Sequence, residues 1–104
     1  MSDGSLQYQI VTVYTNEGAI RHSFLIDTGA SETLIPASLA QSVGAPIIGY
    51  RTIQTANGTT NVPVVHLTVS VNGSPPTTIT AYVIQAGVYA LGMPDIQRFG
   101  LLSI

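Results

Sequence analysis

Asp27-Thr28-Gly29 is where residue types and surroundings in this chain point most directly to chemistry. The apolar run Phe24-Leu25-Ile26 leads straight into Asp27, and Ala30-Ser31 follow the glycine. A lone surface Asp rarely has an apolar strand running into it. Such a frame delivers one carboxylate to a tight turn at a fixed place, with Gly29 free to take a conformation that other residues resist. A carboxylate held this way can act as a general acid or base. The plainer reading is a turn-forming Asp whose side chain bonds backbone amides, followed by an ordinary turn hydroxyl. Other chemistry finds little support. His22 and His66 are the only histidines, and they fall on separate expected strands without ligand spacing, so no metal site is expected. Ser23 and Ser31 have no credible base nearby, which argues against a serine nucleophile. With no Cys in the chain, disulfides and thiolate metal sites are excluded.

The elements that must position Asp27 read mostly as strands. Short β-branched or alternating stretches are punctuated by Gly, Pro and Asn. Strands are expected at 6–15, 19–26, 33–35, 77–85 and 88–91, with a turn at Asn16-Glu17-Gly18. In the first strand Tyr8, Ile10, Thr12 and Tyr14 share one face, and Gln7, Gln9, Val11 and Val13 the other. A long hairpin is expected from 50–56 and 62–71 around Asn57-Gly58-Thr59-Thr60, Asn-Gly being the strongest short hairpin signal. Asn72-Gly73 marks a second turn, after which Pro75-Pro76 prevents pairing. Both Asn-Gly sites match glycosylation sequons but read as turns. A helix of one or two turns is expected at 36–43, with Pro36 at its first position and Gly44 just past its end. A second is expected at 94–99, followed by a terminal strand at 101–104. Pattern alone leaves a sandwich and a small barrel equally open.

Composition bounds the rest. A chain of 104 residues reads as one domain, 1–104, with a modest core. Only 8% of residues are charged while 45% are hydrophobic, so there is little charge to cover a surface, which favours an oligomer. Three Arg and no Lys make a nucleic-acid surface unexpected, because phosphate neutralisation needs clustered bases. No stretch approaches the roughly 20 apolar residues that span a bilayer, so no membrane partner is expected. The N-terminus, Met1-Ser2-Asp3-Gly4-Ser5, lacks a signal peptide's basic and apolar regions. Together with the absence of Cys this sets the expectation of a cytoplasmic protein, equally compatible with a domain of a longer one.

Three landmarks together resemble the retropepsin-like (retroviral-type) aspartic protease family. The first is Leu25-Ile26-Asp27-Thr28-Gly29-Ala30-Ser31. The second, about 30 residues later, is the hairpin with its Asn57-Gly58-Thr59 tip, similar to the family's flap. The third is Tyr89-Ala90-Leu91-Gly92-Met93-Pro94-Asp95-Ile96, similar to the apolar-apolar-Gly element and following helix that pack behind the catalytic loop. There are departures. Viral members commonly carry an acid where this chain has Ser31, paired with an Arg where it has Met93, so that ion pair is missing here; Arg98 is left to reach another acid. The flap tip carries one Gly where viral tips are Gly-rich.

The resemblance implies a mostly β, small closed-barrel-like fold with a flap hairpin and one or two short helices, active as a C2 homodimer. It implies an aspartic endopeptidase that needs no cofactor and acts on an extended peptide or protein substrate. Asp27, Thr28 and Gly29 would form the catalytic motif, with Asp27 of two chains making a carboxylate dyad and Thr28 bracing the two loops. Substrate contacts would come from Leu25, Ala30, Ser31, Leu34, Ala56, Asn57, Gly58, Val88 and Ala90. Small Ala90 would leave room for a bulky apolar side chain. Leu25, Leu34, Val88 and Ala90 can instead be plain core residues, and the hairpin a plain turn. Residues 6–10 and 101–104 are candidate interface strands. The alternative function is a fold retained for dimerisation or peptide binding without turnover; an unrelated small β domain is the third reading.

Overall fold

The β-branched stretches pair into one seven-stranded sheet that curls back on itself. The computed structural model describes residues 6–102. In chain order the elements are β1 (Tyr8–Thr15), β2 (Gly18–Ile26), β3 (Thr33–Pro36), α1 (Ala37–Val43), β4 (Ile47–Thr55), β5 (Gly58–Val71), β6 (Thr77–Ile84), β7 (Ala90–Leu91) and α2 (Met93–Arg98). The strand order is β1-β2-β7-β3-β6-β5-β4, and a further β1–β5 pairing closes six strands into a ring. Of the two open alternatives, the fold is therefore the barrel-like one, as the resemblance implies. Ring closure buries both flanks of every strand it includes, and leaves β4 outside, bonded to β5 alone.

Alternation decides which faces meet inside. Val11 and Val13 of β1 are fully buried, while Tyr8 and Ile10 on the opposite face are exposed. Phe24, Ile35, Val65, Leu67, Val69, Ile79, Leu91 and Ile96 complete the centre of the core. Leu39 of α1 is buried against it. Within the described residues, no helix is long and apolar enough to cross a membrane.

Several boundaries differ from those expected. Pro36 ends β3 and serves as the N-cap of α1, with φ −77° and ψ 158°. The cause is Pro36 pairing with Ile84 at the end of the β3–β6 ladder. Gly44 sits in the left-handed region at φ +72°, and its amide bonds the Ala40 and Gln41 carbonyls. In the long hairpin, Thr55 pairs with Gly58, Gln54 with Thr59 and Ile53 with Thr60, so the turn is Ala56-Asn57 and three of the four expected turn residues belong to the ladder. Gly58 instead opens β5 at φ +115°, a conformation reserved for glycine. The expected strand at 101–104 fails at its start. The Leu101 amide bonds the Ile96 carbonyl at 2.9 Å, which closes the end of α2 and holds Leu101 against the core. Residues 103–104 lie outside the described residues.

Candidate active site

Asp27 stands where two strands diverge around a third. β7 runs parallel to β2, pairing Leu25 with Ala90 and Ile26 with Leu91. It runs antiparallel to β3, pairing Leu34 with Ala90. The chain from Asp27 to Glu32 must therefore loop over the end of β7 to pass from one side to the other. This explains the apolar lead-in: Ile26 has to end a buried ladder before Asp27 leaves it.

Three consecutive residues, the last of β7 and the two that follow it, hold that loop. The Asp27 amide donates to the Leu91 carbonyl at 3.1 Å, and the Met93 amide donates to the Ala30 carbonyl at 2.9 Å. The Gly92 amide donates to the Thr33 hydroxyl at 3.1 Å. Inside the loop the Ala30 amide closes a turn onto the Asp27 carbonyl at 3.0 Å. The Gly29 amide donates to Asp27 Oδ1 at 3.0 Å, which orients the carboxylate. So the carboxylate does bond a backbone amide, as a turn-forming Asp would, and is presented half-buried at the same time.

Gly29 does not take the special backbone conformation expected of it. It is absent from the glycines at positive φ. A β-carbon at Gly29 would lie 3.4 Å from Asp27 Oδ1, in contact with the oxygen that its own amide orients. The glycine that tolerates no side chain is Gly92, where a β-carbon would overlap the backbone of Glu32. The third landmark thus packs directly behind the loop.

Thr28, Gly29 and Ser31 are exposed, and Ala30 is half-buried. Leu25, Ala90 and Leu34 lie side by side across β2, β7 and β3. Leu25 and Leu34 are half-buried, whereas Ala90 is 1% exposed, so in the single chain Ala90 is packed between its neighbours. Val88 is exposed, ahead of β7. Ala56, Asn57 and Gly58 belong to a different element, the tip of the β4–β5 hairpin. Below Val64, β5 leaves its partner β6, and residues 58–63 pair only with β4. That free end projects from the ring as a flap would. Thr55 shapes its tip: the hydroxyl donates to the Gly58 carbonyl at 2.9 Å and accepts from the Asn57 amide at 3.3 Å. A cavity of about 270 Å³ at the hairpin base is lined by Ile53, Thr60, Val62, Val83 and Ile84 among others, none of them charged. His22 stacks on Tyr89 with ring centroids 4.2 Å apart, while His66 is exposed on β5.

One cluster was not read from the sequence. Asp95 is buried, and its Oδ2 accepts from the Thr33 hydroxyl at 2.5 Å. Its Oδ1 accepts from Arg98 Nε at 3.2 Å. Arg98 therefore does reach another acid. The available signal was Asp95 between Pro94 and buried Ile96, an acid in the first turn of a helix that must pack on the core.

A profile of the aspartyl protease family matches residues 11–103. Among solved structures 247 chains match. One, the EIAV protease complexed with the inhibitor HBY-793, has a TM-score of 0.75 and covers 100% of this chain and 97% of that chain at 17% identity. At that identity the likeness speaks to fold. No curated protein sequence matches.

Proposed function

The chain belongs to the aspartyl protease family and has the retropepsin-like fold, and from that premise we propose an aspartic endopeptidase whose catalytic pair is Asp27 from each of two identical chains. The observation carrying this reading is the seat of Asp27: a half-buried carboxylate where β2 ends its ladder on buried β7, its main chain tied to Leu91 and its side chain aimed by the Gly29 amide. One chain contributes one such loop. A twofold axis passing between two Asp27 side chains would complete the site.

The chemistry follows from bringing two carboxylates together. Close carboxylates cannot both ionise cheaply, so the pair keeps one proton between them, as aspartic proteases do as a class. The ionised member takes a proton from a bound water, which attacks the scissile carbonyl. The protonated member donates a hydrogen bond to that carbonyl oxygen. The proton later passes to the leaving amine, and no covalent intermediate forms. The hairpin supplies main-chain donors and acceptors that align an extended peptide by strand addition. Leu25, Leu34 and Val88 would offer apolar surface to its side chains, with Ala30, Ser31 and the tip residues Ala56 to Gly58 completing the contacts and buried Ala90 backing Leu25 and Leu34.

The test is digestion of a diverse peptide library at pH 4 to 7 by the native chain and by Asp27→Asn, with products read by mass spectrometry. Cleavage by the native chain alone is expected, with activity falling on both sides of an optimum on the acidic side because the pair works only while singly protonated. The loss on Asp27→Asn should be about 10²- to 10⁴-fold or more. Equal cleavage by both proteins would sink the dyad. Peptide binding without cleavage, unchanged in Asp27→Asn, would leave a binding module.

A further inference from the structure

We propose that Asp95 is a positioning residue for the catalytic loop, acting through the Thr33 hydroxyl on the segment 91–93. The proposal rests on the reading of Asp27 as the catalytic acid.

A carboxylate inside a small core is costly unless it is fully partnered. Asp95 is 3% exposed, and an apolar residue at this helix position would serve packing at no such cost. What it does there is set by the hydrogen-bond directions. A hydroxyl has one proton and two lone pairs. Thr33 gives its proton to Asp95 Oδ2, which leaves a lone pair facing the Gly92 amide. Asp95 thereby decides which way the Thr33 hydroxyl points. Arg98, whose side chain is 48% exposed, holds the other carboxylate oxygen from the surface. Asp95 also lies in the first turn of α2, the end of a helix where the dipole favours an acid.

The receiving end of this relay is the loop. Gly92 lies between Leu91, whose carbonyl accepts from the Asp27 amide, and Met93, whose amide donates to the Ala30 carbonyl. Thr33 is the first residue after the loop, where β3 begins. The start, middle and end of the loop are thus anchored to three consecutive residues, and Asp95 governs the anchor at the end. Without it, the Thr33 hydroxyl is free to turn and the Gly92 amide loses a partner. The consequence is a displaced Asp27 in a chain that still folds and dimerises.

The experiment compares native chain, Asp95→Ala, Thr33→Val, Thr33→Ser and the Thr33→Val/Asp95→Ala double variant. Each is assayed as the dimer, with active sites titrated by a tight-binding transition-state analogue. In Asp95→Ala and Thr33→Val, kcat should fall by up to about 10²-fold, because misplacement of about 1 Å costs that much, while KM stays within about threefold. Thr33→Ser, which keeps the hydroxyl, should recover kcat to within about threefold, and the double variant should be no worse than the poorer single one. Unchanged kcat per titrated site in both Asp95→Ala and Thr33→Val, whatever their melting temperatures, would overturn the proposal and leave Asp95 a packing residue. Amide hydrogen exchange reads the same anchor without turnover. In the native protein the Asp27, Gly92 and Met93 amides should open with one common protection factor, and in Thr33→Val all three should exchange at least about tenfold faster while the Leu67 amide in β5 does not. Independent opening of the three in the native chain would also overturn it, even if no variant folds. If the native chain cleaves nothing but the exchange result holds, the catalytic reading fails and the anchoring stands.

Discussion

At Asp27 three bonds do separate work. The amide bond to Leu91 fixes where the main chain leaves the sheet, the Ala30 amide closes the turn, and the Gly29 amide sets the direction of the carboxylate. None of these involves a side chain other than that of Asp27 itself, so the seat depends on backbone shape. That puts the burden on Gly92, the residue behind the loop. Gly92→Ala would force the Glu32 backbone to move, since no flexible side chain is there to yield. Overpacking of this kind costs about 1–3 kcal/mol. The expected outcome is a melting temperature lowered by several degrees, together with activity lost beyond what the remaining folded fraction explains. A Gly92→Ala protein with native stability and native kcat would contradict the packing described.

Among the elements, β5 serves two structures at once. Its C-terminal half is built into the ring, pairing with β6 and β1, and carries the fully buried Val65, Leu67 and Val69. Its N-terminal end pairs only with β4 and carries mostly exposed polar residues, with a Thr52–Asn61 side-chain bond at 2.6 Å across the pair. Few buried contacts mean a low free energy of local opening. Amides at 59–61 should therefore exchange much faster than those at 65–69 when followed by hydrogen exchange, and uniform protection along β5 would refute a separable flap. Gly58→Ala should act on the same end. Its φ of +115° makes any side chain cost about 1–3 kcal/mol locally. Because the tip lies outside the ring, the expected effect is a raised KM with a melting temperature changed by little.

For the whole molecule, the surface shows what one chain leaves unsatisfied. Leu6, Tyr8, Ile10, Val88 and Leu102 are exposed, and Tyr8 and Ile10 share the face of β1 that the core does not use. Only 8% of the chain is charged, so little else keeps such surface soluble. These residues lie near the strand that leads to Asp27, since Tyr8 pairs with Leu25. A second copy covering them would complete the proposed site. Specific activity should then fall on dilution in step with dimer dissociation measured by analytical ultracentrifugation. Constant specific activity across the range where the protein becomes monomeric would refute a site shared between chains.

Much of this protein was determined by its sequence alone, through short-range rules. Period-two alternation, Asn-Gly and Gly punctuation and the Pro36 and Pro94 signals placed the main strands and both helices to within a few residues. The apolar run into Asp27-Thr28-Gly29 marked the candidate acid, because few other contexts lead an apolar strand into a carboxylate. The errors fell where a distant partner overrode the local preference. Pro36 was drawn into β3 by Ile84, the hairpin turn tightened to Ala56-Asn57 when β4 and β5 set their register, and Leu101 was taken up in closing α2. Only the tertiary structure decided that the strands close into a ring, that the close approach at Gly92 is to the Glu32 backbone, and that Asp95 meets Thr33. Those facts join residues about 60 positions apart, and contacts at that separation leave no periodicity in a single sequence to be read.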